Sequence, residues 1–168
     1  RVHSLDVLRS FGQWALATGS VPSGKTLSLE HGRATRVEAP ELGVRYRDPV
    51  LRAVRVRALD DRPVLVERTT YPHGVAEIIA ALPDDTPSVM HVLERDHGVV
   101  LAQGAHRVSA TVADTADADL LGIRRGEPLL RVRRTGRSGD GRAFEYSEDH
   151  YVADAIELSI VNSHGGGA

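Results

Sequence analysis

The chain is 168 residues long, 41% hydrophobic and 26% charged, the size and mixture of one folded domain with a short appendage. It contains no Cys, which excludes disulfides and thiolate chemistry, and no apolar run approaches the ~18 residues of a membrane-crossing helix. The 21 Lys and Arg against 23 Asp and Glu leave a formal charge of −2, which argues against a surface that holds nucleic acid by itself. All basic residues except Lys25 are arginine, a genomic bias, so an arginine is informative here only through its spacing. The sole methionine is Met90, and the chain opens at Arg1 without an initiator, as expected of a processed chain or of a piece of a longer protein. No secretory signal opens it, and a cytoplasmic location is expected.

Residues 4–18 place Leu5, Leu8, Phe11 and Ala15 on one side, which predicts an amphipathic helix with Ser4 as N-cap and Gly19 as its stop. Val21-Pro22-Ser23-Gly24 follows as a linker, making residues 1–22 an arm before a main domain at 23–162, with 163–168 a frayed tail. From Lys25 the period becomes two, briefly to Leu29, after which 31–48 reads as loop with a helical turn near Pro40–Leu42. Segments 50–59 and 63–71 alternate on either side of Asp60-Asp61-Arg62 and predict a β-hairpin. Helical spacing recurs over 74–82, over 87–96 (stopped near Gly98), and over 114–121, capped by Asp114 and stopped by Gly122. Strand patterns cover 99–112, 128–135, 143–153 and 156–161. The sum is an α+β domain: an antiparallel sheet of about six strands with flanking short helices on one face.

Arg55 and Arg57 stand two apart on a strand, so both guanidiniums leave the same face roughly 7 Å apart and can grip one anion. The duller reading is a solvated polar face opposite Val54 and Val56; Arg131 and Arg133 repeat the spacing and show how little it means alone. Glu67 faces the arginines if the hairpin loop is the three residues Asp60–Arg62, and the other way if the loop is Asp60-Asp61 alone. Ser88, after Pro87, opens a helix whose N-terminus is an anion site or simply a capped end. In the run from Glu145 to Tyr151, Ser147 and His150 point to opposite faces and cannot form a nucleophile–base pair, whereas Glu145 and Tyr151 share a face and suit a binding pocket. The eight histidines show no metal-ligand spacing, and neither a Walker A nor a GxGxxG motif occurs; no metal or cofactor is expected.

Taken in order, the hairpin from Arg55 to Glu67, T-x-Y-P (Thr69 to Pro72), Pro87-Ser88 with its helix, L-L-G-I-R-R-G-E-P-L-L-R-V-R-R ending at Arg134, and F-E-Y-S-x-D-x-Y (Phe144 to Tyr151) resemble the UTRA effector-binding domain of HutC-type GntR transcription regulators. The linker T-G-S-V-P-S-G-K-T-L (Thr18 to Leu27) fits the start of such a domain, and the resemblance covers about residues 15–161. It implies a chorismate-lyase-like fold, a ligand cleft, homodimerisation, and a DNA-reading winged helix-turn-helix N-terminal to this chain, which itself makes no membrane contact. By position it assigns the gripping of an anionic effector to Arg55 and Arg57, and further pocket contacts to Glu67, Ser88, Glu145 and Tyr151. Joint use of Arg55 and Glu67 favours the three-residue loop. Two departures stand out: Met90 replaces the lysine usual in sugar-phosphate sensors of the family, and Val152-Ala153 stands where an arginine is usual. A sugar phosphate and a small carboxylate are then equally apt effectors. The chain is therefore expected to sense a small anionic metabolite without catalysing a reaction. Its alternatives are a chorismate-lyase-like enzyme and a dimerisation module with a vestigial pocket.

Overall fold

Strict alternation of side chains makes β3 (Pro49–Leu59) the strand on which the sheet is organised. Leu51, Ala53, Arg55, Arg57 and Leu59 are buried on one face, while Arg52, Val54, Val56 and Ala58 are half-buried on the other. The structure is a computed structural model and describes residues 2–4, 11, 15, 17 and 19–159. β3 lies in a six-stranded antiparallel sheet with β2 (Pro22–Arg33), β4 (Arg62–Pro72), β5 (Gln103–Val112), β6 (Pro128–Arg137) and β7 (Ala143–Val152), in the order β2-β3-β4-β7-β6-β5. A separate parallel pair joins β1 (Val2–Ser4) to β8 (Glu157–Ser159).

Two expectations change. Pro22–Gly24, expected as linker, and residues 25–33 belong to one 12-residue strand that pairs from Pro22 onward with β3, so the loop expected from 31 begins only after Arg33. Ser4, expected as a helix N-cap, lies in β1, paired with Ser159, and residues 5–10 after it lie outside the described residues. Of the helix expected over 4–18, Phe11, Ala15 and Ala17 are helical, Ser20 N donates to Ala15 O at 2.9 Å, and Gly19 has φ +76°; the other positions from Leu5 to Thr18 lie outside the described residues. The expected tail, 163–168, also lies outside them.

The hairpin resolves its register by a route the sequence did not suggest. Leu59 pairs with Arg62, so the turn is the two residues Asp60-Asp61, both at positive φ (50° and 64°) as a type I′ turn needs. Taken alone, that turn would send Glu67 to the wrong face. A β-bulge corrects it: Ala58 pairs with Pro63 and Arg57 with Leu65, leaving Val64 as the extra residue, and Arg55 comes opposite Glu67. Burial shows the same irregularity, since Val64, Leu65 and Val66 are all buried in a row.

Helices cover both faces of the sheet, not one. α1 (Glu38–Leu42) packs Ala39 and Leu42 on Val50 and Tyr146, and α4 (Thr115–Leu121) packs Ala118 and Leu121 on Val66, Leu129 and Val152. The opposite face receives α2 (His73–Ala80) and α3 (Val89–His97), whose Val75, Ile79, Val89 and Leu93 bury Leu51, Ala53 and Tyr71. Neighbours Val50 and Leu51 thus serve two cores, as a pleated strand requires. A fourth apolar cluster joins Phe11 and Ala15 to Leu59, Leu65 and Ile156 on the α3 side.

Candidate functional site

On the face shared with α3, the strand registers bring one row of charged groups together. Glu67 of β4 lies between Arg55 of β3 and Asp149 of β7, Ser147 pairs with Arg134 of β6, and Glu145 pairs with Gly136. Arg55 and Arg57 are only 3% and 4% exposed, which removes the solvated-face reading. Their forks point at the chain entering α3. Arg55 Nη2 donates to Thr86 O at 2.6 Å and Arg57 Nη2 to Pro87 O at 2.8 Å, while Arg55 Nη1 donates to Thr26 Oγ1 at 2.6 Å. Glu67 Oε2 lies 3.7 Å from Arg55 Nε and 3.5 Å from Arg57 Nη1, bridging the pair.

Two glycines make room for these side chains. A Cβ on Gly24 of β2 would stand 2.7 Å from Arg57 Nε and 2.9 Å from Arg55 Nη2; a Cβ on Gly136 would stand 2.8 Å from Glu145 Cγ. Both positions are strand residues across from a buried charged side chain that folds back over the sheet.

Ser88 is the N-cap of α3, its Oγ accepting from His91 N at 3.3 Å, and it also lines the cavity that opens there. That cavity is walled by Arg57, Glu67, Ser88, Met90, Arg134 and Glu145, together with Phe11, Tyr71 and Val89. Among the expected residues, four therefore line it. Arg55 stands behind, fixing Thr86, and Tyr151 packs beside it in the Leu65–Ile156 cluster. The residues that sequence reasoning missed are Arg134, Asp149, Tyr71 and Phe11. For Arg134 a signal existed: it is out of phase with Arg131 and Arg133, so it alone of the three faces α3. Arg133 instead pairs with Glu148 at 2.8 Å, and Arg131 donates to Ser109 Oγ.

Electrostatics give the row a sign. Burial pushes the Asp149 carboxyl up to about 8, Arg134 opposes this, and Glu67 and Glu145 add to it. Burial also raises Glu145, against the pull of Arg134, whose Nη2 lies 2.9 Å from Glu145 Oε1 without the angle of a hydrogen bond. Burial works against the Arg134 charge, but Glu145, Asp149 and Glu67 outweigh it and raise its pKa. With Asp149 pushed toward its neutral form, three guanidiniums, those of Arg55, Arg57 and Arg134, face the carboxyls of Glu67 and Glu145, and the balance leans positive. The α3 N-terminus adds its dipole to the same side.

A roomier cavity, about 380 Å³, lies on the opposite face beside α1. Its charges are largely spent on one another. Arg52 holds Glu38 through two bonds of 2.7 Å, and Thr70 Oγ1 and Thr35 N also donate to Glu38. Burial would raise Glu38, but these donors overcome it and set its carboxyl at about 2. Asp117 likewise accepts from Arg68 at 2.6 Å and lies 2.6 Å from His150 Nδ1, so His150 is on the far side of the sheet from Ser147.

Comparison with known proteins agrees with this fold. The UTRA domain profile matches residues 17–157. The chain is 26% identical over 151 residues to the HTH-type transcriptional repressor NagR of Bacillus subtilis (strain 168), covering 90% of this chain and 62% of that protein. It is 28% identical over 156 residues to the HTH-type transcriptional regulator Rv0792c of Mycobacterium tuberculosis (strain ATCC 25618 / H37Rv), covering 91% and 57%. It therefore spans less than two thirds of the length of either relative. Among solved structures, the effector domain of PhnF from Mycobacterium smegmatis has a TM-score of 0.88 at 23% identity, over 98% of this chain and 100% of that one, a likeness of fold.

Proposed function

Because the chain belongs to the UTRA domain family, we propose that it is the effector-sensing part of a GntR-type regulator of the HutC kind, binding a small anionic metabolite. The observation that carries this reading is the buried arginine row, Arg55, Arg57 and Arg134, meeting the α3 N-terminus at Ser88 with Asp149 and Glu145 pushed toward neutrality. An anion placed there meets charge-assisted donors whose cost of burial is already met by the fold. Glu67, Glu145 and the phenol of Tyr71 would read the polar body of the same ligand. Met90 and Val89 make part of the wall apolar, which suits a small carboxylate as well as a sugar phosphate. The sensor would act as a homodimer on a DNA reader N-terminal to this chain, through different ligand affinities of two arrangements.

A thermal-melt panel of sugar phosphates and small carboxylates, run on the parent and on Arg57→Ala, tests the proposal. A ligand at a hundredfold its Kd adds ~2.7 kcal/mol, roughly 5–10 °C for a domain of this size. The expected result is such a shift in the parent and its loss in Arg57→Ala. A shift of equal size in both would refute the assignment, and conversion of an anion to a product would favour an enzyme. Sedimentation of the same samples checks the dimer, which a monomer at tens of micromolar (about the melt concentration) would contradict.

A further inference from the structure

The cavity at the head of α3 is small for its chemistry. Its free volume is about 20 Å³, room for about one water, whereas cavities that hold small metabolites run to roughly 300–1,000 Å³. Around it four buried polar atoms make no hydrogen bond: Arg55 Nε, Arg134 Nε, Glu145 Oε1 and Asp149 Oδ1. Arg55 Nε and Glu145 Oε1 lie in ion pairs with Glu67 and Arg134, but the hydrogen bonds left unmade at these buried atoms cost free energy that a complementary ligand would recover.

One wall residue comes from neither the sheet nor α2–α3. Phe11, 7% exposed, lies with its ring centroid 4.7 Å beneath the Arg57 guanidinium and lines the cavity with it. Ala15, one helical turn on, is fully buried, and both pack in the cluster of Leu59, Leu65 and Ile156. The ring thus covers the guanidinium that faces the cavity. A cation–π contact is the weaker use of that group, because a charge-assisted bond to an anion is stronger and directional.

Resting on the sensor reading above, we propose that Phe11 is the occupant of the effector site when no ligand is bound, and that an anion reaching Arg57 expels its ring. Ser20 N is bonded to Ala15 O at 2.9 Å, and Val21 is held to the hairpin turn by two bonds, Val21 N to Asp60 Oδ1 at 2.9 Å and Asp60 N to Val21 O at 3.0 Å. Ser20 and Val21 therefore mark where the chain that carries Phe11 and Ala15 is fastened to the sheet. Ligand binding and docking of that segment compete for one volume, so each weakens the other. The apparent affinity is lowered by the fraction of molecules in which Phe11 is home.

The test titrates inorganic phosphate by calorimetry into the parent, Phe11→Ala, Phe11→Leu and Arg57→Ala, and follows exchange of the Ser20 amide. Phe11→Leu keeps apolar packing on Leu65 and Ile156, which covers the case in which Phe11→Ala fails to fold. The expected result is phosphate binding about tenfold tighter in the Phe11 variants, none in Arg57→Ala, and faster Ser20 exchange in the parent once phosphate is added. Equal or weaker binding by the Phe11 variants, with Ser20 undisturbed, makes Phe11 a fixed wall and overturns the inference while the sensor reading stands. Phosphate binding that survives Arg57→Ala, or no binding by any variant, removes both.

Discussion

At the residue scale, the site is a case of large charged side chains accommodated by the absence of small ones. Gly24 sits across from Arg57 with no space for a Cβ, the obstructing atoms being Arg57 Nε and Cδ and Arg55 Nη2. Gly24→Ala is expected to displace both forks from Thr86 and Pro87, to cost about 1–3 kcal/mol of stability, and to weaken anion binding. Urea melts with anion titration check it; unchanged stability and affinity would show that the arginines have slack. The buried acids make a second prediction, in pH. Asp149 holds its proton up to about 8 in the fold, whereas an unfolded Asp releases it near ~3.9. Between those values the folded chain binds the extra proton, so stability falls as pH rises through that window. Asp149→Asn cannot titrate and is expected to flatten the fall from about pH 5 to about pH 8 in urea melts; a slope equal to the parent's would contradict the assignment. Glu38, at about 2, works in the opposite sense: its contribution is present above its unfolded pKa and is lost as pH falls toward 2.

At the scale of elements, the α3 start is the part most dependent on distant residues. Its two preceding carbonyls are held by arginines of β3, and its cap is local, Ser88 Oγ to His91 N. Ser88→Ala is expected to cost about 0.5–1 kcal/mol, the low end for a cap because the bond is long. A loss far above that in urea melts would mean that Ser88 holds more than the helix end. Elements also show what the sequence could and could not tell. Alternation over 50–59 was enough to place Arg55 and Arg57 on one face, and Asp114, Gly98 and Gly122 end their helices as their chemistry dictates. Counting loop residues was not enough for Glu67, because a two-residue turn plus a bulge at Val64 gives the same pairing as a three-residue turn. Arg134 and Asp149 escaped notice because their partners lie on other strands, and strand neighbours are set by sheet order, not by spacing. Phe11 was legible only as a helix-face residue, since nothing local says that its face meets Arg57.

At the scale of the molecule, one six-stranded sheet carries two differently used faces. On the α1 and α4 side, Arg52 pairs with Glu38 and Arg68 with Asp117, and Asp117 also lies 2.6 Å from His150 Nδ1. On the α3 side, Arg55, Arg57 and Arg134 meet a row in which burial pushes Asp149 and Glu145 toward their neutral forms, and several buried polar atoms make no hydrogen bond. The proposed sensor therefore has its working face where the N-terminal segment packs, which links recognition to the part of the chain nearest the proposed DNA reader. The most direct test is amide chemical-shift mapping with whichever anion gives the largest thermal shift. The account predicts perturbations at Arg57, Glu67, Ser88 and Glu145, with Thr70 and Glu148 on the other face unmoved. Perturbations centred on Thr70, Glu148 and Arg52 instead would put the ligand in the larger cavity beside α1 and contradict it.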